Sequence, residues 1–98
     1  MSEFDQLPVP DEVRVDPQSF EIVRVWIANE GQHVSLRAGV WEDAAAWGIL
    51  LADLARHVAN SYEEIGLMDG LSALHRIKEV FDAEFASPTD DPSGEILP

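Results

Sequence analysis

The residues best placed to do chemistry are two histidine–carboxylate pairs at i,i+4 spacing, Asp53 with His57 and His75 with Glu79. Two imidazoles and two carboxylates on facing helices form a donor set that a divalent metal accepts in helical bundles. Di-metal bundles, however, supply more carboxylates and a Glu-x-x-His spacing that neither His57 nor His75 has. The same i,i+4 spacing is also ordinary support along one helix face. Asp53, His57, His75 and Glu79 are therefore expected to be structural, with no metal and no cofactor. Nucleophilic catalysis has still less to work with. Ser35, Ser61 and Ser72 lack an elbow or a Gly-rich setting, and the chain has no cysteine. The six glycines are scattered and make no phosphate-binding loop. The adjacent acids Glu42-Asp43, Glu63-Glu64 and Asp90-Asp91 do not readily share a site, because neighbours on a helix diverge by ~100°. No catalytic residue is expected.

A second cluster is more suggestive. Arg24, Trp26, His33, Arg37 and Trp41 alternate with apolar residues along two β-type segments, so all five fall on one face. Exposed Trp beside Arg is a composition found at interface hot spots and around anionic or aromatic ligands. The competing expectation is that the N-terminal arm shields this face.

The elements that must position these residues follow from a change of period at Trp41. Before it, strands are expected over residues 20–28 and 33–41, turning at Asn29-Glu30-Gly31, where Gly31 offers positive φ. A two-residue loop at Glu30-Gly31 would pair Val25 with Leu36 and Ile27 with Val34. Val23, Val25, Ile27, Val34, Leu36, Ala38 and Val40 would then form a wholly apolar face. After Trp41, a helix is expected from Glu42 or Asp43 to a stop at Gly66. Its apolar stripe is Trp47, Leu50, Leu51, Leu54, Val58, Tyr62 and Ile65. Asp69 can cap a second helix, with inner positions Leu71, Leu74, Ile77, Phe81 and Phe85, that ends at Ser87-Pro88. So short a link makes the two helices antiparallel, and together they are expected to cover the apolar face of the hairpin. Gly48 within the first helix is either a point of close approach or a tolerated small residue. The fold class is thus α+β: a two-stranded antiparallel β-hairpin followed by two antiparallel α-helices (ββαα), with an extended N-terminal arm. Residues 1–17 form the arm, 18–87 the single domain and 88–98 an acidic flexible tail.

Nineteen acidic residues against six basic ones give a net charge of −13, which opposes binding to a phosphate backbone. Nucleic acid is therefore not an expected partner, whereas a basic protein is admissible. The longest apolar run, residues 44–52, falls far short of the ~20 residues of a membrane span. The acidic first residues carry no apolar leader core, so a cytoplasmic location is expected. A chain of 98 residues without cysteine has no disulfide brace, and two strands leave two open edges. A homodimer is the expected remedy.

Several segments together resemble a small bacterial, proteobacterial-type single-domain family of unknown function. They are Leu7-Pro8-Val9-Pro10, Val23-Arg24-Val25-Trp26-Ile27-Ala28, Glu42-Asp43 followed by Trp47-Gly48, Arg56-His57-Val58-Ala59, and Ser87-Pro88-Thr89-Asp90. The resemblance implies a stand-alone cytosolic protein and brings no functional residue with it. The leading functional expectation is a non-enzymatic, self-associating interaction or accessory module. A small-ligand-binding regulatory domain using the Trp26 face comes second, and a metal-dependent enzyme third.

Overall fold

A computed structural model describes residues 4–89 and 93–97. The order of elements is α1 (Asp11–Val15), β1 (Val23–Ala28), β2 (Gly31–Arg37), a 3₁₀ turn (Ala38–Val40), α2 (Ala45–Glu64), α3 (Gly70–Ala86) and β3 (Ser93–Leu97). The class is α+β with two long helices, as the periodicities imply. The sheet, however, has three strands in the order β1-β2-β3 and is not a two-stranded hairpin.

The hairpin turns two residues earlier in register than the hydrophobic pattern suggested. Val25 pairs with Val34 and Val23 with Leu36, closing at Ala28 opposite Gly31. The loop is Asn29-Glu30, both at positive φ (51° and 63°), which is a type I′ arrangement whose twist matches that of the strands. A shift of two residues leaves every side chain on its original face, whereas a shift of one would have inverted them. The apolar face therefore survives the correction: Val23, Val25 and Ile27 beside Val34 and Leu36. Arg24 now faces Ser35 and Trp26 faces His33.

The third strand comes from the tail that was expected to be loose. β3 runs parallel to β2, with Gly94 beside Val34 and Ile96 beside Leu36, so Ile96 extends the apolar face. Gly94 has φ 148°, and a Cβ there would sit on the Val34 carbonyl oxygen. Parallel pairing at this position thus depends on the missing side chain. The N-terminal arm is also not extended throughout, since residues 11–15 make one helical turn.

The helices begin and end for local reasons. The Asp43 carboxylate accepts from the Ala45 N–H (2.9 Å) and Asp69 from the Ser72 N–H (3.0 Å), satisfying donors that the first turns leave open. Gly66, at φ 78°, ends α2 in a Schellman motif. Its N–H donates to Glu63 O (3.1 Å), and the Leu67 N–H donates to Tyr62 O (2.9 Å). The two helices then pack on each other through small side chains. Ala59 and Ala73 are the buried hydrophobic residues among those described, with Gly70 buried beside the Glu63 carboxylate that accepts from its N–H. A Cβ at Gly70 would come within 3.3 Å of the Glu63 carboxylate. Around Gly48 a Cβ would meet nothing within 4 Å of the chain's own atoms.

One expectation fails in a way that shapes everything else. The helical pair contacts itself and the strands contact each other, but among the described residues little joins the helices to the sheet. Trp41 turns away from the strands and packs edge-on against Trp47 (5.4 Å between centroids), at the entrance to α2. Much of the apolar sheet face is left open within the chain, with Ile27 73% and Val25 55% exposed, while Val23, Val34 and Leu36 are half-buried.

Two substitutions test this geometry. Glu30→Gly should stabilise the fold by about 0.5–1 kcal/mol, because Asn-Gly suits a type I′ turn and removes a side chain from positive φ. A thermal melt checks it, and an unchanged or lower Tm would contradict the turn assignment. Gly94→Ala should detach β3, and hydrogen exchange should show the β2 amides facing β3 losing protection while those facing β1 keep theirs.

Candidate functional site

The face built from Arg24, Trp26, His33 and Arg37 exists, because the strand alternation places all four on the side opposite Val25 and Val34. Its chemistry is internally engaged. The Glu21 carboxylate accepts from Arg24 Nη2 (2.7 Å) and Nε (3.1 Å), a two-pronged contact that fixes the guanidinium plane. The same guanidinium lies 6.0 Å from the Trp26 ring centroid. Arg37 donates from Nε to the Glu21 carbonyl (3.4 Å) and stands 5.8 Å from the Phe20 ring. The segment Phe20-Glu21 thus serves both arginines, one by charge and one by backbone and ring. His33 Nε2 lies 3.0 Å from the Ala28 carbonyl, to which it must donate, and this ties the ring back to the hairpin end. Phe4 of the arm packs 6.0 Å from Trp26 at 57°, so the arm does shield this aromatic, which is half-buried.

Trp41 does not join the cluster. The strand stops at Arg37, the 3₁₀ turn over Ala38–Val40 breaks the alternation, and Trp41 reaches Trp47 instead. Sequence reasoning extended β2 to residue 41 because Ala38-Gly39-Val40-Trp41 continues a plausible alternation. Gly39, which weakens a strand interior, was the available warning.

Between the arm and β1 runs an open groove of about 590 Å³. Leu7, Pro8, Val9 and Pro10 form one wall and Phe20, Val23, Arg24 and Trp26 the other. Sequence analysis singled out Arg24 and Trp26 but missed their apolar companions on the arm. The Leu-Pro-Val-Pro run was the signal, since proline-rich segments stay extended and present side chains without needing a sheet partner.

The metal candidates are not assembled. His57 and His75 are both exposed. The carboxylates expected to hydrogen-bond them face arginines one turn away: Asp53 pairs with Arg56 (3.4 Å) and Glu79 with Arg76. A guanidinium offers several charged N–H donors in a planar fork that suits a carboxylate. Among the described residues, no three His, Cys, Asp or Glu side chains converge in a way that could hold a metal ion. No helix among them is long and apolar enough to cross a membrane.

The chain is similar to a solved structure from the photosynthetic bacterium Rhodopseudomonas palustrus CGA009, described as that of "a putative pyruvate dehydrogenase". The two share 35% identity over 93% of each chain, with a TM-score of 0.73. No curated protein matches. Residues 6–89, from the arm through the end of α3, match the family called Domain of unknown function (DUF5076), and the chain belongs to that family.

Proposed function

We propose that this protein is a non-enzymatic, self-associating accessory module of the bacterial cytoplasm whose working form is a homodimer. The observation that carries this reading is the amount of surface left open by one chain. Its accessible area is 8686 Å², against roughly 5,600 Å² for a compact monomer of this mass. The Cα radius of gyration is 15.5 Å, against about 12.5 Å for a compact chain of this length. The surplus, on the order of 3,000 Å² per chain, exceeds the roughly 1,000–2,500 Å² that each partner of an obligate dimer typically buries, so self-association has ample surface to draw on. Much of it is apolar: Leu54 on α2 is 50% exposed, and Phe85 on α3 is 76% exposed. A cysteine-free chain in which only two alanines form the hydrophobic core, among the described residues, has little to stabilise it alone.

The non-enzymatic part of the reading rests on the engagement of the polar cluster on the sheet, whose Arg24, His33 and Arg37 are held by Glu21 and by the Ala28 carbonyl. The dehydrogenase description therefore stays with the Rhodopseudomonas protein. The acidic balance favours a basic protein over nucleic acid as any further partner. A second reading, a small-ligand regulatory domain, is favoured by the arm–β1 groove, whose volume falls within the range of ligand sites. In that case Arg24→Ala would abolish binding of an anionic aromatic probe without changing the mass of the particle.

Light scattering at micromolar concentration should give twice the 10.9 kDa chain mass. The melting temperature should rise with protein concentration, because folding and association are linked by mass action. A monomer with a concentration-independent cooperative melt would defeat the reading.

A further inference from the structure

We propose that two copies of this chain exchange faces: the apolar stripe of α2 in one protomer lies on the open sheet face of its partner, and the reverse. This inference rests on the self-association reading and names the surfaces that carry it.

The two surfaces need each other. A sheet with one apolar face must have a layer placed over it, and among the described residues the chain's own helices supply little of one, leaving Ile27 73% exposed. Trp41 against Trp47 holds the start of α2 at the joint, beyond the end of β2. On α2, the contact with α3 uses the Ala59 side, so Leu51, Leu54, Val58, Tyr62 and Ile65 remain at least partly open. That stripe is wider than α3 needs.

Dimensions agree. From Leu51 to Ile65 the stripe runs about 21 Å at 1.5 Å per residue. The six residues of β1 extend about 17–20 Å, and three strands at about 4.8 Å spacing give a platform wide enough for one helix.

Charge decides between occupants. The chain carries −13, so two copies repel wherever acids meet. Neither surface contains an acid: the sheet side presents Val23, Val25, Ile27, Val34 and Leu36, and Gln32 opposite Ile27 at the turn end is polar but neutral. A basic partner would be drawn to the acidic flanks rather than to these faces. A second copy brings both missing surfaces at once, and a two-fold arrangement covers them reciprocally with neither left over.

The absence of cysteine makes the test clean. Full-length chains carrying Ile27→Cys and Leu54→Cys, with different affinity tags, are co-expressed and treated with a short bis-maleimide, with Val25→Cys and Val58→Cys as a second pair. Circular dichroism and light scattering first establish that each single variant folds and keeps the parent mass, and a variant that fails is replaced by the member of the second pair on the same element. The expected product is a mixed sheet–helix crosslink several-fold more abundant than either self-crosslink, lost when Val23→Asp is added to the sheet-face chain. A particle of twice the chain mass that gives only sheet–sheet or helix–helix self-crosslinks would overturn the exchange while leaving self-association standing. A monomer at every concentration would remove both.

Discussion

The α2–α3 contact is made by residues too small to bury much, and most other features of the molecule follow from that. Ala59, Ala73 and Gly70 let the two helices approach closely, and their larger apolar neighbours point elsewhere. Burying a Leu or Phe side chain contributes about 1.5–3 kcal/mol, so an alanine contact captures only a small part of what this sequence could gain. The bulky residues of α2 and α3 are surplus to the helical pair, and the sheet has a complementary surplus in Val25 and Ile27. Each half of the chain is amphipathic in the manner of a layered domain, yet among the described residues little joins the two layers.

Local chemistry, by contrast, is well satisfied. The Schellman ending at Gly66, the Asp69 cap and the type I′ turn at Asn29-Glu30 each close backbone groups that would otherwise compete for water. The one costly local choice is Glu30 at positive φ, tolerated because the two-residue loop imposes that conformation. Secondary structure is thus determined over short range, while packing is deferred to surfaces that remain open.

The polar side of the sheet shows how a promising cluster becomes scaffolding. Arg24 and Arg37 looked available because a strand starting at residue 20 puts Glu21 on the face opposite Arg24, whereas β1 begins only at Val23 and leaves Glu21 free of the alternation. Once the backbone folds, its carboxylate reaches Arg24 and its carbonyl Arg37, and Phe4 comes over Trp26. Ion pairs at such an exposed site contribute little stability, about 0–1 kcal/mol, but they do set side-chain orientation. What stays open is the neighbouring groove, where the proline-rich arm stands off β1.

By itself, the sequence determined whatever depends on period and on single residues. That includes two strands with the apolar side on Val23, Val25, Ile27, Val34 and Leu36, two helices with ends at Gly66 and Asp69, and the failure of Ser, Cys or Gly patterns to suggest catalysis. These are legible because period 2, period 3.6, a glycine stop and an aspartate cap act within a few residues. The hairpin register was missed by two residues, since a shift of two preserves every hydrophobic position and only turn geometry tells the alternatives apart. The third strand was invisible because Ser93–Leu97 is too short and mixed to signal a strand until β2 offers it a partner across a glycine. The i,i+3 arginines that take the carboxylates of Asp53 and Glu79 lie within one helical turn and could have been read from the sequence. Only the tertiary structure decided that Trp41 belongs to α2. It alone decided, too, that the helices leave much of their own sheet face open. Those outcomes depend on which surfaces meet in space, and amphipathic periodicity says that a face must be covered without saying by what.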